Sequence, residues 1–318
     1  MSFCVQDIAY ELGEIKISTK DLIAKMVIPE SKKIELAERV GTEYIYETVA
    51  ESDFFSLSTK CINSLLLANP INTENLGIIF VSQSNSQIIP AEGQRIRHAC
   101  NLPSSVFVLD LNIGCSGFVY ALFLADSLLK TSQLKNIIIV AGDTYRRSLN
   151  KDDRSTKLLF SDAVSAVLIT SGGTTEILQV DFGGDGLNYK DISLPVIQDY
   201  SEKTFFRMEG AKVFSFTNSV IPTSINNVLL TSSTKISEVS LVFFHQASGI
   251  VLQTLQSKLG LSETQIPKTI NTFGNTGSAS IPITISSYLT RKGINTGDTI
   301  ILSGFGVGLS YGTILLKW

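Results

Sequence analysis

A chain of 318 residues is long for one simple core and fits two fused units of about 150 residues or one large α/β body. Apolar residues make up 44% and charged residues 17%, which excludes a disordered chain and points to a large core or an oligomer. The net charge of −3 argues against nucleic acid as the main partner. No apolar run approaches the ~18 residues of a membrane span, and the opening MSFCVQDIAYELGE carries acids with no basic start, unlike a secretory signal. Cys4, Cys61, Cys100 and Cys115 lie far apart with no CxxC pair, so they read as free thiols in a reducing, cytoplasmic setting. The two histidines, His98 and His245, and the dispersed cysteines lack metal-ligand spacing, so neither a metal nor a cofactor is expected.

In chain order, short β-branched runs bounded by Gly, Ser, Asn or Asp predict strands over 76–83, 105–112, 135–142, 165–171, 239–246, 299–305 and 311–318. The stretch 116–131 is apolar nearly all round and predicts a buried helix, whereas 248–261 is one-faced and ends near Gly260. Strands alternating with helices at this spacing predict α/β layers.

The two halves repeat. Each runs strand, a turn with a polar residue, a small-residue helix, then two more strands. Cys115 precedes Ile137 by 22 residues and Asn275 precedes Thr299 by 24. Aligning the upstream strand ends sets Ser82 opposite His245, with 33 residues from Ser82 to Cys115 and 30 from His245 to Asn275. This predicts a duplicated unit with halves 1–172 and 173–318, the first carrying Cys115 and the second His245 and Asn275.

Cys115 lies in NIGCSGF, where a strand turns into a helix and glycines let the backbone pass closely. A helix N-terminus favours thiolate, so the setting fits a nucleophile, and a buried inert thiol fits it as well. His245 ends the strand SLVFF and fits either a site histidine or a hydrogen-bonded structural one. His98, among arginines on a predicted helix, reads as a solvated surface residue. Asn275, in FGNTGSAS, either caps a helix or donates to a developing oxyanion. The segment 144–157, TYRRSLNKDDRSTK, carries a local charge of +3 and reads as a solvated loop or a docking surface for an acidic partner.

The stretches LNIGCSGFVYAL, FFHQAS, FGNTGSASIPI and GFGVGLSYGTILLKW resemble, in order and over nearly the whole chain, the signatures of the ketoacyl-ACP synthase III family in the thiolase superfamily. NKDDRSTKLLFSDAVSAVL and MEGAKVFSF resemble two further segments. The resemblance implies an α/β, five-layered αβαβα thiolase-like fold of two duplicated halves, a homodimer and a Cys–His–Asn triad on Cys115, His245 and Asn275. It implies an oxyanion hole of the backbone N–H of Cys115 and of Gly306 or Val307, and substrate-side residues Arg39, Ile89, Arg154 and Lys212. The implied reaction is acyl transfer from a thioester donor (acyl-ACP or acyl-CoA) to Cys115, then decarboxylative condensation with malonyl-ACP, with acyl carrier protein as partner. No cysteine follows Cys115, unlike thiolases, and only His98 remains for a second histidine, unlike Cys–His–His synthases.

Some positions depart from the family pattern. Glu35 stands where an adenine-stacking Trp is usual, Ile250 where a carrier-docking Arg is usual, SDAVSA (161–166) where GDGAGA is usual, and Val307 where a Gly is usual. These point away from CoA as donor and toward a pathway-dedicated paralogue. Two alternatives stay open: an acyltransferase passing the acyl group to an alcohol or amine without decarboxylation, and a non-catalytic partner of an active homologue.

Overall fold

The structure, a computed structural model, describes residues 2–84, 89–194 and 205–318. Its first large sheet holds β1 (Phe3–Leu12), β2 (Leu76–Val81), β3 (Phe107–Leu111), β4 (Asn136–Asp143) and β5 (Ala163–Ser171) in the order β1-β5-β4-β2-β3. β2 runs parallel to β3 and β4, whereas β5 runs antiparallel to β4 and β1. The second sheet holds β6 (Glu176–Gly184), β7 (Leu241–Phe244), β8 (Thr299–Gly306) and β9 (Ser310–Lys317) in the order β7-β8-β9-β6.

The central strands are buried at nearly every position and apolar through their middle because both of their faces are covered. Ile79 and Val81 of β2 point inward with Ile137 and Ile139 of β4, while Ile78, Phe80, Ile138 and Val140 point to the other face. In the second sheet, Leu241 and Phe243 face inward, and Val242 and Phe244 outward. Between the sheets lie α4 (Gly117–Thr131) and α7 (Ser280–Arg291), numbered after α1 (Glu30–Val40), α2 (Phe54–Ala68) and α3 (Gly93–Ala99). Outside the first sheet pack α2 and α3; outside the second pack α5 (Gly210–Thr231) and α6 (Gly249–Leu259). The result is the five-layered αβαβα arrangement of a thiolase-like fold. Phe118, Val119 and Leu122 of α4 are at most 2% exposed, each side chain contributing about 1.5–3 kcal/mol by burial.

All seven apolar runs overlap strands. β1 and β6 escape the sequence pattern because they are half-buried on most positions and each breaks its pairing register with a bulge, at Val5/Asp7 and opposite Leu315/Leu316. The SDAVSA segment is only partly a turn: Ala163 onward is strand, and Asp162 closes the corner by accepting from the Thr48 and Arg146 N–H groups.

Candidate active site

Cys115, His245 and Gly306 all stand at or just past the C-terminal ends of strands, and Asn275 lies in the turn entering α7. Together with Val307 they line one cavity of about 480 Å³. Its outer part is formed by α1, α5 and the start of α6, through Leu36, Arg39, Ala211, Phe214 and Ile250, with Arg154 beside them. A wider groove of about 670 Å³ between Ser18–Ala24 and α1 touches none of the triad residues, so its size carries no catalytic meaning.

Close approach of backbones makes the nucleophile's position possible. A Cβ on Gly117 would lie 2.3 Å from Val81 Cγ1, so only glycine lets α4 start against β2. Gly306 has φ +156°, and a Cβ there would lie 2.9 Å from Cys115 Cβ and 3.0 Å from Sγ. The backbone N–H groups of Val307 and of Cys115 itself favour the thiolate form of the Cys115 sulfur. Ser310 Oγ donates to the Val307 carbonyl at 2.7 Å and lies 2.8 Å from Ser116 Oγ, which ties the 306–308 loop to the helix that carries Cys115. Of the two residues expected for the second oxyanion donor, Val307 is the one whose N–H acts on the sulfur, and Gly306 leaves the space beside it.

The thiolate expected from the helix end is not favoured in the free protein. Burial comes first and the Asp143 carboxylate second, and they push the Cys115 thiol up to about 12, against the two N–H donors. The helix-end effect is too weak to offset loss of water around the sulfur. Alkylation of Cys115 by iodoacetamide, followed by peptide mapping, is therefore expected to climb about tenfold per pH unit from pH 7 to pH 10. A plateau near pH 8.5 would contradict this.

His245 is 2% exposed, and burial drives its pKa down to about 3, so it is a neutral imidazole throughout the working range of pH. Its Nδ1 lies 2.7 Å from Ser280 Oγ, which also accepts the Gln246 N–H at 3.3 Å. The ring packs edge-on to Phe305 with centroids 5.4 Å apart. The Gln246 side chain holds the loop by accepting from Thr269 and Ile270 N–H and donating to the Phe244 carbonyl. Asn275 is oriented by its own bonds: Oδ1 accepts from the Gly277 N–H at 3.0 Å and Nδ2 donates to the Ala247 carbonyl at 3.2 Å. An amide nitrogen carries two hydrogens, so the second is left for the cavity. The Asn275 backbone bonds on both sides, to the Leu159 carbonyl and from the Ser161 N–H, each at 2.8 Å.

Of the residues read as substrate-side, Arg39 and Arg154 line the cavity. Lys212 does not: its ammonium is held by Asp191 Oδ1 at 3.0 Å on the other side of α5, where it borders a separate depression. Ile89 is 96% exposed and outside the cavity lining, because the chain leaves the sheet after Val81 and carries that residue into solvent. In the 144–157 segment Lys151 and Arg154 are exposed, whereas two of the arginines are engaged. Arg146 is buried in an ion pair with Glu47 and donates to the Lys157 and Phe160 carbonyls, and Arg147 donates to Thr48 Oγ1 and the Ser52 carbonyl. His98 is exposed on α3. Ser280, which engages Nδ1, was invisible in the sequence: it is one small residue among several.

Residues 109–186 match the model of 3-oxoacyl-[acyl-carrier-protein (ACP)] synthase III, and residues 229–318 match the model of its C-terminal domain. Together they span more than half of the chain and include Cys115, His245 and Asn275. A beta-ketoacyl-[acyl-carrier-protein] synthase III of Clostridium novyi (strain NT) is 29% identical over 311 residues, 95% of each chain. The crystal structure of a 3-oxoacyl-(acyl-carrier protein) synthase from Burkholderia xenovorans LB400 superposes with TM-score 0.89 at 25% identity, over 100% of this chain and 94% of that one. A crystal structure of a 3-oxoacyl-(acyl-carrier-protein) synthase III shares the fold over the full length of both chains, with TM-score 0.91 at 22% identity. Domain models covering both ends of the cavity, a relative aligned nearly end to end and the same five layers lead to one assignment: the chain belongs to the 3-oxoacyl-[acyl-carrier-protein] synthase III family.

Proposed function

We propose that this protein is a condensing acyltransferase that joins a thioester-borne acyl group to a malonyl thioester through Cys115, His245 and Asn275. The observation that carries the reading is the convergence of a buried thiol, a neutral imidazole and an oriented amide at the inner end of one cavity. The Cys115 sulfur attacks the donor's thioester carbonyl, and the thiol proton ends on the departing thiol. The N–H groups of Cys115 and Val307 hold the oxyanion as it forms. A malonyl thioester then loses CO2, and the electron pair of the broken C–C bond passes to the thioester oxygen. His245, with its proton on Nε2, and Asn275 Nδ2 donate to that enolate oxygen. The enolate carbon attacks the acyl carbonyl, a 3-oxoacyl thioester leaves, and the Cys115 sulfur takes a proton from water. Uncharged donors suit a site whose burial excludes a cationic imidazole.

The donor follows from the cavity's outer part. Glu35 of α1 pairs with Lys32 at 2.6 Å and lies 3.9 Å from Arg39, and Ile250 sits on the lining. An apolar residue on the lining, with the Glu35 carboxylate close by on the exposed face of α1, suits a carrier-borne acyl group better than the phosphates and adenine of CoA. Steady-state kinetics are expected to show acetyl-CoA turned over far less efficiently than acyl-ACP. A kcat/KM of about 10⁵ M⁻¹s⁻¹ with acetyl-CoA, ordinary for an enzyme, would contradict this. Arg39 and Arg154 are the cations available to a phosphopantetheine phosphate.

The same reading takes 1–172 and 173–318 as two halves of one ancestral unit, and two copies of the chain as the working assembly. β3 is an edge strand of the first sheet, with Phe107 39% exposed, which supports edge-to-edge pairing. Among the described residues no helix is long and apolar enough to cross a membrane, in keeping with work in the cytoplasm. The test of the function is intact-mass analysis after incubation with acyl-ACPs and acyl-CoAs, with malonyl-ACP added second. An adduct on Cys115 that is discharged as a 3-oxoacyl thioester is the expected result; discharge to an alcohol or amine without CO2 release would overturn it.

A further inference from the structure

The neutral ring of His245 has one hydrogen to offer, and its neighbours decide which nitrogen carries it. A neutral imidazole is a donor at one ring nitrogen and an acceptor at the other. The ring is 2% exposed, and burial outweighs the Gly277 backbone contact that favours a charged ring. It therefore cannot donate from both nitrogens as an imidazolium would. With the hydrogen on Nε2 the ring donates to an enolate oxygen. With the hydrogen on Nδ1 it turns a lone pair toward that oxygen and repels it.

Ser280 opens α7, and its Oγ lies 2.7 Å from His245 Nδ1 and 3.3 Å from the Gln246 backbone nitrogen. A backbone N–H only donates, so Gln246 occupies an acceptor position of the hydroxyl oxygen. The hydroxyl's own hydrogen then needs an acceptor. Among the described residues Oγ has no partner besides these two, and Ser280 is 2% exposed. If Nδ1 carried the ring hydrogen, the Ser280 hydrogen would be buried with nothing to accept it, which weighs about 10- to 100-fold against that arrangement. If Ser280 donates to Nδ1, both hydrogens are used and the Nε2 hydrogen is left for the cavity.

The hydroxyl is held in place by its surroundings. Thr284 Oγ1 donates to the Ser280 carbonyl at 2.7 Å and lies 2.6 Å from Thr269 Oγ1. The Thr269 N–H donates to Gln246 Oε1 at 2.9 Å, and the Gln246 N–H returns to Ser280. The start of α7 and the loop after β7 are thus one bonded unit, so ring and hydroxyl cannot separate without breaking it.

We propose that Ser280 is a positioning residue for the condensation: its hydroxyl donates to His245 Nδ1 and so keeps the ring hydrogen on Nε2, where the malonyl-derived oxygen is met. The inference rests on the reading of His245 as a donor to the enolate.

The test is nitrogen-15 NMR of the protein made with histidine labelled only at Nδ1, which gives one signal for each of the two histidines; His98→Gln shows which is which. In the natural protein the His245 signal is expected at the position of an acceptor nitrogen and to stay there from about pH 5 to pH 9. Ser280→Ala, which only removes atoms, is expected to move that signal toward a hydrogen-bearing nitrogen. It is also expected to slow CO2 release from malonyl-ACP about 10- to 100-fold while Cys115 acylation stays within about twofold. A hydrogen-bearing Nδ1 in the natural protein overturns the inference. So does an unmoved signal in Ser280→Ala, even if CO2 release falls, because the loss then does not come from the ring hydrogen. Normal CO2 release with a moved signal overturns it as well. No CO2 release by the natural protein overturns the proposed function and the role in condensation with it; the Nδ1 signal, read without substrate, tells the two failures apart.

Discussion

Replacing Asn275 by Ala is expected to leave acylation of Cys115 near its normal rate and to lower decarboxylation of a malonyl thioester about 10²- to 10³-fold, the usual cost of one oxyanion donor, roughly 3–4 kcal/mol. The separation follows from the bonds. In the proposed reaction the oxyanion formed on acylation is held by the Cys115 and Val307 N–H groups, and neither depends on the Asn275 side chain. The enolate oxygen is a neutral carbonyl oxygen before CO2 leaves, so a donor aimed at it acts on the transition state more than on the bound substrate. His245→Ala is expected to lose decarboxylation to a similar extent. The measurement is paired: mass shift of the protein for acylation, and CO2 release from labelled malonyl-ACP. Product formed at full rate by Asn275→Ala with no malonyl thioester present would make the protein a simple acyltransferase.

Gly306→Ala is expected to damage the first half-reaction instead. The new methyl carbon would sit 2.9 Å from Cys115 Cβ and 3.0 Å from its sulfur, closer than packed carbon atoms come. Either the nucleophile or the 306–308 loop must shift, and the loop is clamped by Ser310 to both Val307 and Ser116. A displacement of an ångström at the reacting atom costs on the order of 10² in rate, and the overpacking costs about 1–3 kcal/mol of stability. Single-turnover acylation together with a denaturant titration checks both. Normal acylation in Gly306→Ala would mean that the thiol does not work from this position.

The strand runs that read clearly in the sequence are those covered on both faces, such as 76–83 and 135–142, because a doubly buried strand is apolar throughout. β1 and β6 did not read, since their half-open faces and bulges break any simple alternation. The outer helix α2 carries a local signal in its Asp53–Ser56 capping box, which lies outside any apolar run. α5 and α1 gave little, as their pattern is set by which neighbour covers them.

The candidate triad was legible because each member sits where a strand or turn ends among glycines and small residues, and local chain geometry is written in residues a few places apart. The sequence by itself determined the α/β class, the order of the central strands along the chain, and the grouping of Cys115, His245 and Asn275 as residues of one kind of chemistry. What those residues experience was decided only in three dimensions. The raised thiol of Cys115 comes from burial and from Asp143, 28 positions away in the chain; the neutral state of His245 comes from burial, with Ser280 against Nδ1, 35 positions away. The ion pairs of Arg146 with Glu47 and of Lys212 with Asp191 are likewise long-range. Desolvation and Coulomb interaction depend on distance through space, and the packing of layers sets that distance independently of separation along the chain.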